Sequence, residues 1–148
     1  MKIFIDTSSL FKLYHREADT EIIEQIFSQL LVTEVYLSEI SKVEFASSVW
    51  KKVRTREITA LEATTTLQLF ENDSSKYTFI ATDSMIIEKA RKLTIKYGLK
   101  GLRTLDSIQL SSAISLSKEI ELFVTSDNLL KSFLNQEGLQ TDLLTVKK

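Results

Sequence analysis

The 148-residue chain is expected to be an α/β protein: three layers, α/β/α, around a mostly parallel sheet of about five strands. Three observations predict this. Short apolar runs alternate with amphipathic stretches along the chain, the order that right-handed crossovers require of a parallel sheet. No proline occurs and only three glycines do, so no linker is marked and a single domain over residues 1–148 is expected. Residues 102–127, LRTLDSIQLSSAISLSKEIELFVTSD, place Asp106 in a first helical turn and Asp127 just past a strand. In open α/β sheets ligands bind at the carboxyl ends of the strands, which makes acids gathered at that edge candidate metal ligands.

The elements follow in order. Lys2 to Asp6 reads as a central strand ending in an acid, and the hydroxyls of Thr7, Ser8 and Ser9 can cap the next helix and bond the Asp. Leu10, Leu13 and Tyr14 give that helix a short apolar face, with Lys12 and His15 read as surface or neighbour contacts. Asp19 or Thr20 caps a second helix with Ile22, Ile23, Ile26, Phe27 and Leu30 on its buried face. Val35 to Leu37 is a brief strand. Ser38 then opens a long helix that turns Ile40, Val43, Ala46, Ser47, Trp50 and Val53 inward, with Glu44 beside this stripe.

Thr59 and Glu62 form a capping box for a helix running to about Ser75, so residues 39–75 read as a helical hairpin with the basic KKVRTR stretch at its tip. Tyr77 to Ala81 is the next strand. Thr82 or Asp83 caps a helix carrying Ile86, Ala90, Leu93 and Tyr97 and stopped by Gly98; Asp83 is read as a cap, not a ligand. Thr104 is expected to cap the helix of Leu105, Ile108, Ser112, Ala113 and Leu116, and Glu121 to Thr125 to form a buried strand. A short helix at Asn128 to Leu134, a stop at Gly138 and a last strand near Leu143 to Val146 complete the chain.

Composition narrows the chemistry. With 43% hydrophobic and 26% charged residues, the chain can bury a core as one compact domain. There is no cysteine and one histidine, which excludes disulfides, thiolate zinc sites and multi-imidazole sites and leaves oxygen ligands. The N-terminus meets Asp6 before a signal-peptide core can form, and no apolar run approaches the roughly 18 residues of a membrane span, so a cytoplasmic protein without membrane contact is expected. Net charge is −1, yet Lys51, Lys52, Arg54 and Arg56 fall together, and Lys89 to Arg103 holds six cations and no acid. Such runs are commonly solvated helix faces; beside an acidic site they become candidate phosphate contacts.

Four segments, FIDTSSLFKLY at 4–14, SEISKVEFASSVWK at 38–51, LRTLDSIQLSSA at 102–113 and FVTSD at 123–127, resemble the PIN-domain nucleases, most closely the toxin ribonucleases of VapBC-type toxin–antitoxin pairs. The resemblance spans essentially the whole chain. It implies that Asp6, Glu44, Asp106 and Asp127 are the four acids of a metal site, with Thr7, Ser8 and Thr125 as supporting hydroxyls. Ser107 and Gln109 stand where many relatives have Ala and His. It further implies an RNA substrate, a cognate antitoxin and a homodimer. Physical chemistry points the same way, since four clustered carboxylates repel one another unless a cation shares the site. Mg2+, with Mn2+ as a substitute, suits an oxygen-only set; Asp6, Asp106 and Asp127 are the expected direct ligands, with Glu44 ligating through water or orienting the nucleophile.

Other readings compete. A receiver domain needs adjacent acids after its first strand, and an aspartyl-nucleophile phosphatase shows D-x-D there; this chain has DTS. A PIN nuclease of RNA processing outside any toxin pair, and a non-catalytic PIN-like scaffold for RNA or a partner, are the alternatives within the same fold.

Overall fold

A computed structural model describes residues 1–141. The elements are β1 (Lys2–Ile5), α1 (Thr7–Phe11), α2 (Thr20–Gln29), β2 (Glu34–Ser38), α3 (Ser41–Arg54), α4 (Ala60–Asp73), β3 (Tyr77–Ile80), α5 (Ser84–Tyr97), α6 (Thr104–Ser115), β4 (Leu122–Val124) and α7 (Asn128–Gln136). The strands form one parallel sheet in the order β3-β2-β1-β4. The α/β class and the parallel sheet are as expected, with four strands among the described residues. The expected strand near 143–146 lies outside them.

The pleat sorts the core into two layers. Ile3 and Ile5 of β1 face one side with Val35, Leu37, Leu122 and Val124, where Leu10, Ile23, Phe45, Val49 and Phe70 from α1 to α4 cover them. Phe4, Tyr36 and Phe123 face the other, against Leu93 and Tyr97 of α5, Leu110 of α6 and Leu130 and Phe133 of α7. Strands β1, β2 and β4 are buried on both faces, which is why each carries a continuous apolar run and not an alternation, whereas β3 at the sheet edge is half-buried along its length.

The hairpin of α3 and α4 forms as expected, with the Thr59–Glu62 capping box intact: Glu62 N donates to Thr59 Oγ1 at 3.1 Å and Thr59 N to Glu62 Oε1 at 3.2 Å. Asp83 caps α5, accepting from Ile86 N at 3.0 Å.

Several expected details change. The inward face of α3 is Ser41, Phe45 and Val49, not the stripe through Val43 and Trp50, which are 73% and 42% exposed. Phe45 wins because it stacks on Phe70 with ring centroids 4.2 Å apart and meets Phe11 and Tyr14 edge-on, so aromatic packing across the hairpin decides the rotation. Helix α3 begins at Ser41, three residues after Ser38. Ile22 of α2 is exposed, and Asp19 pairs with Lys12 at 3.2 Å instead of capping α2. Thr104 is the first residue of α6, not its cap; its carbonyl accepts the Ser107 hydroxyl at 2.6 Å. No described helix is long and apolar enough to cross a membrane.

Candidate functional site

Asp6 continues β1 by one residue. Its amide donates to Val124 O at 3.1 Å, extending the ladder to β4, and its extended backbone turns the side chain onto the start of α1. Oδ1 accepts the Ser9 amide at 3.1 Å, while Oδ2 accepts the hydroxyls of Ser8 at 3.0 Å and Thr125 at 2.7 Å. The residue is 6% exposed. Burial pushes its carboxyl above the usual range, and the donors from Ser9, Thr125 and Ser8 pull against that rise.

Glu44 reaches the same edge from the start of α3. Its Oε1 accepts Thr7 Oγ1 and Gln109 Nε2, both at 2.8 Å, and Thr7 Oγ1 lies 2.8 Å from the buried hydroxyl of Ser41. Burial raises its proton affinity first; Gln109 and Thr7 oppose this, and the charges of Asp106 and Asp6 add to it.

Asp106 sits in the first turn of α6, one turn before Gln109. Burial raises its proton affinity, Asp127 adds to the rise, Arg103 at 3.6 Å opposes it and Asp6 contributes further. Asp127 caps α7: Oδ1 accepts Leu129 N at 2.9 Å and Leu130 N at 3.0 Å. Its own amide donates to Thr125 Oγ1 at 3.1 Å, so one hydroxyl links the backbone of Asp127 to the carboxylate of Asp6.

The four acids thus occupy the carboxyl edge of the sheet, each on a separate segment: Asp6 after β1, Glu44 in the helix after β2, Asp106 at the head of α6 and Asp127 after β4. Asp6, Glu44 and Asp106 feel one another's charge. Among the described residues no three acidic or imidazole side chains stand close enough to hold a single ion, so the carboxylates share a field and not a closed coordination shell. The donor set is oxygen throughout, which fits a hard divalent ion and not a soft one.

The PIN-domain family model matches residues 3–133. This chain belongs to the PIN-domain family. A comparison with curated protein sequences finds no match. Among solved structures it is similar to Mycobacterium tuberculosis VapC20, described as a sarcin–ricin-loop-cleaving toxin, at 14% identity and TM-score 0.69, over 88% of this chain and 94% of that one. A toxin–antitoxin complex from Klebsiella pneumoniae matches at 19% identity and TM-score 0.65, over 94% and 96% of the two chains. VapBC-1 from nontypeable Haemophilus influenzae matches at 18% identity and TM-score 0.64, over 98% and 99%. Likeness at these identities establishes the fold.

In this PIN domain the basic stretch lies at the α3–α4 turn, as expected, but its four cations differ. Lys51, Arg54 and Arg56 are exposed, whereas Lys52 is half-buried between Glu17 at 3.4 Å and Glu57 at 3.2 Å. Arg56 adopts φ 61°, the left-handed region that disfavours a side chain. Reading the sequence singled out Thr7, Ser8 and Thr125, and the structure puts each on an acid; it assigned no site contact to Ser41 or Gln109. Both are buried, at 0% and 3% exposure, and they bond the Glu44 network. Gln109 carried a detectable sign: it lies three residues beyond Asp106, where a helix returns to nearly the same face.

Proposed function

We propose that this PIN domain is a divalent-metal-dependent endoribonuclease and the toxin of a toxin–antitoxin pair. The observation that carries the reading is the set of acids at one sheet edge, of which Asp6, Glu44 and Asp106 are all held with raised proton affinity by burial, Glu44 and Asp106 also by neighbouring charge. Carboxylates kept in that state gain most from a shared cation. Asp6, Asp106 and Asp127 would hold Mg2+ or Mn2+ partly through bridging waters, since no three of the acids stand close enough to enclose one ion directly, and Glu44 would orient the attacking water.

When bound, the ion supplies Lewis-acid activation of water and neutralises charge at the scissile phosphate. The chain's own residues do the rest. Ser9 N, Ser8 and Thr125 fix both oxygens of Asp6, and the two α7 amides fix Oδ1 of Asp127, so neither carboxylate has to be reoriented at the moment of reaction. Lys51, Arg54 and Arg56, with Lys52 behind them, would hold the RNA backbone and offset the repulsion between phosphate and acids. The toxin and antitoxin assignment draws support from similar structures that are themselves a toxin and a toxin–antitoxin complex. A homodimer in the cytoplasm completes the proposal.

The test is cleavage of a mixed RNA substrate with Mg2+, Mn2+ or chelator by wild type and Asp106→Asn. Cleavage is expected with either ion, to stop in chelator, and to fall by orders of magnitude in the variant. Cleavage that persists in chelator, or a folded Asp106→Asn protein that cuts at the normal rate, refutes the mechanism. If the chain is a toxin, its expression should arrest growth, and co-expression of a cognate antitoxin should relieve the arrest.

A further inference from the structure

Tyrosines aside, Gln109 is the largest polar side chain sealed inside the described molecule. Its Nε2 stands 2.8 Å from Glu44 Oε1, 3.0 Å from Thr7 Oγ1 and 3.2 Å from Ser41 Oγ. Its Oε1, by contrast, is buried with no hydrogen-bond partner among the described residues. An amide serving stability alone would use both ends. Turned end over end, it would offer Oε1 to the hydroxyls of Thr7 and Ser41, but it would set that oxygen against the Glu44 carboxylate, lone pair to lone pair. The orientation therefore directs the amide N–H to Glu44 and turns the carbonyl to a place where no described residue satisfies it, which favours the site over the amide's own pairing.

Counting protons sharpens the point. Thr7 gives its proton to Glu44 Oε1, so Ser41 must donate to Thr7, and the second Nε2 proton falls between those two hydroxyls. Glu44 Oε1 is where the network ends, and Oε2 takes none of these bonds. The participants come from α1, α3 and α6, so the same few bonds set where Glu44 of α3 stands relative to Asp106 of α6.

Resting on the nuclease reading above, the geometry points to Gln109 as a positioning residue that grips Glu44 by Oε1 and leaves Oε2 for the reaction. It is not itself a group that touches substrate. A leucine at this position keeps the volume and removes the donor; a histidine restores an N–H.

In crystals of the ion-free proteins, Gln109→Leu is expected to release the Glu44 carboxylate from Thr7, and Gln109→His to hold it in place. Turnover on mixed RNA should fall about 10–100-fold in Gln109→Leu with KM little changed, and Gln109→His should recover most of it. Mn2+ affinity, read by electron paramagnetic resonance with RNA absent, should fall in Gln109→Leu but not further when Glu44 is already Ala, as expected of a residue that acts through another. A Gln109→Leu protein with Glu44 undisturbed and normal turnover overturns the assignment. So does an equal loss of Mn2+ affinity in both backgrounds. Should Gln109→Leu not fold, Gln109→Asn, too short to reach Glu44, carries the same measurements. A wild-type protein that neither binds Mn2+ nor cuts RNA refutes the nuclease reading instead, and the crystal comparison still decides the role of Gln109.

Discussion

The hydroxyl of Thr125 donates to Asp6 Oδ2 at 2.7 Å and accepts the Asp127 amide at 3.1 Å, joining the ends of β1 and β4 through one buried oxygen. Thr125→Val keeps the shape and leaves a buried carboxylate and an amide each short of a partner. A loss of about 1.5–3 kcal/mol is expected in urea unfolding, the range for hydrogen bonds to charged groups. Thr125→Ser should lose much less. Equal stability of the Val and Ser variants would show that the bond contributes nothing.

Stability without divalent ions should fall as pH rises. Asp6, Glu44 and Asp106 have folded-state proton affinities raised above the ordinary carboxyl range, chiefly by burial. Between the unfolded and folded values the native state binds more protons than the unfolded one, so their contribution is complete below the ordinary range and is lost as pH climbs through the raised values. Asp73 has the opposite sign: the Tyr14 hydroxyl at 2.7 Å holds its carboxyl below the usual value, and that stabilisation disappears on acidification. Urea titrations from about pH 4 to 8 in chelator check this. The downward slope above the ordinary carboxyl range should shrink in Asp106→Asn and with added Mg2+.

Asp127 serves two purposes that substitution can separate. Asparagine caps helices about as well as aspartate, so Asp127→Asn should unfold like wild type, whereas Asp127→Ala should lose about 1 kcal/mol through the cap of α7. RNA cleavage should fall in both. Normal cleavage by Asp127→Asn would remove Asp127 from the proposed site and leave it only the cap.

The basic tip should bind and not catalyse. Replacing Lys51, Arg54 and Arg56 with Ala is expected to weaken RNA binding and flatten its salt dependence while turnover at saturating RNA holds. Lys52→Ala should differ by also costing stability, since it severs the links to Glu17 and Glu57. Filter binding across a salt series, alongside thermal unfolding, separates the two effects; a fall in saturated turnover with unchanged affinity would contradict the assignment.

Arg56→Gly should trade affinity for stability. Its φ of 61° suits glycine, so about 1 kcal/mol is expected to be gained in unfolding, while one cation near the phosphates is lost. Arg56→Ala loses the same cation without the gain, and the pair of variants measured together isolates the backbone contribution.

Alternating runs and caps make most of this fold legible in the sequence alone. The strand ending at Asp6, the Thr59–Glu62 box and the Asp83 cap all depend on neighbours a few residues away, and local chemistry specifies them. The face of α3 was not legible, because two apolar stripes run along that helix and only the aromatic partners Phe11, Tyr14 and Phe70, distant in sequence, choose between them. Helix α6 was harder still: Leu105 of the expected stripe is 50% exposed, whereas Ser107, Gln109 and Ser111 are buried beside the expected Ser112, so polarity misreports its interior face. Each of these side chains is bonded internally, Ser111 to Ile86 O at 2.8 Å and Ser112 to Ile108 O at 2.8 Å, which single-sequence periodicity does not detect. The acids were legible as strand-end and helix-start residues; the hydroxyl of Ser41 was not, and Gln109 showed only in its place one turn beyond Asp106, since both meet the Glu44 network through tertiary packing.

The pairing of Phe4 with Phe123 and Ile5 with Val124 does more than stabilise the sheet. Side chains on a strand alternate in direction, so a slip of one residue between β1 and β4 would bury Phe4 where Ile5 belongs and carry Asp6 away from the Thr125 hydroxyl. The ladder is therefore a ruler for the site: how far Asp6 stands from Asp127 is inherited from the backbone register of β1 on β4. The same few hydrogen bonds thus answer for both the pairing of the sheet and the spacing of its two strand-end carboxylates, so a change that breaks one disturbs the other.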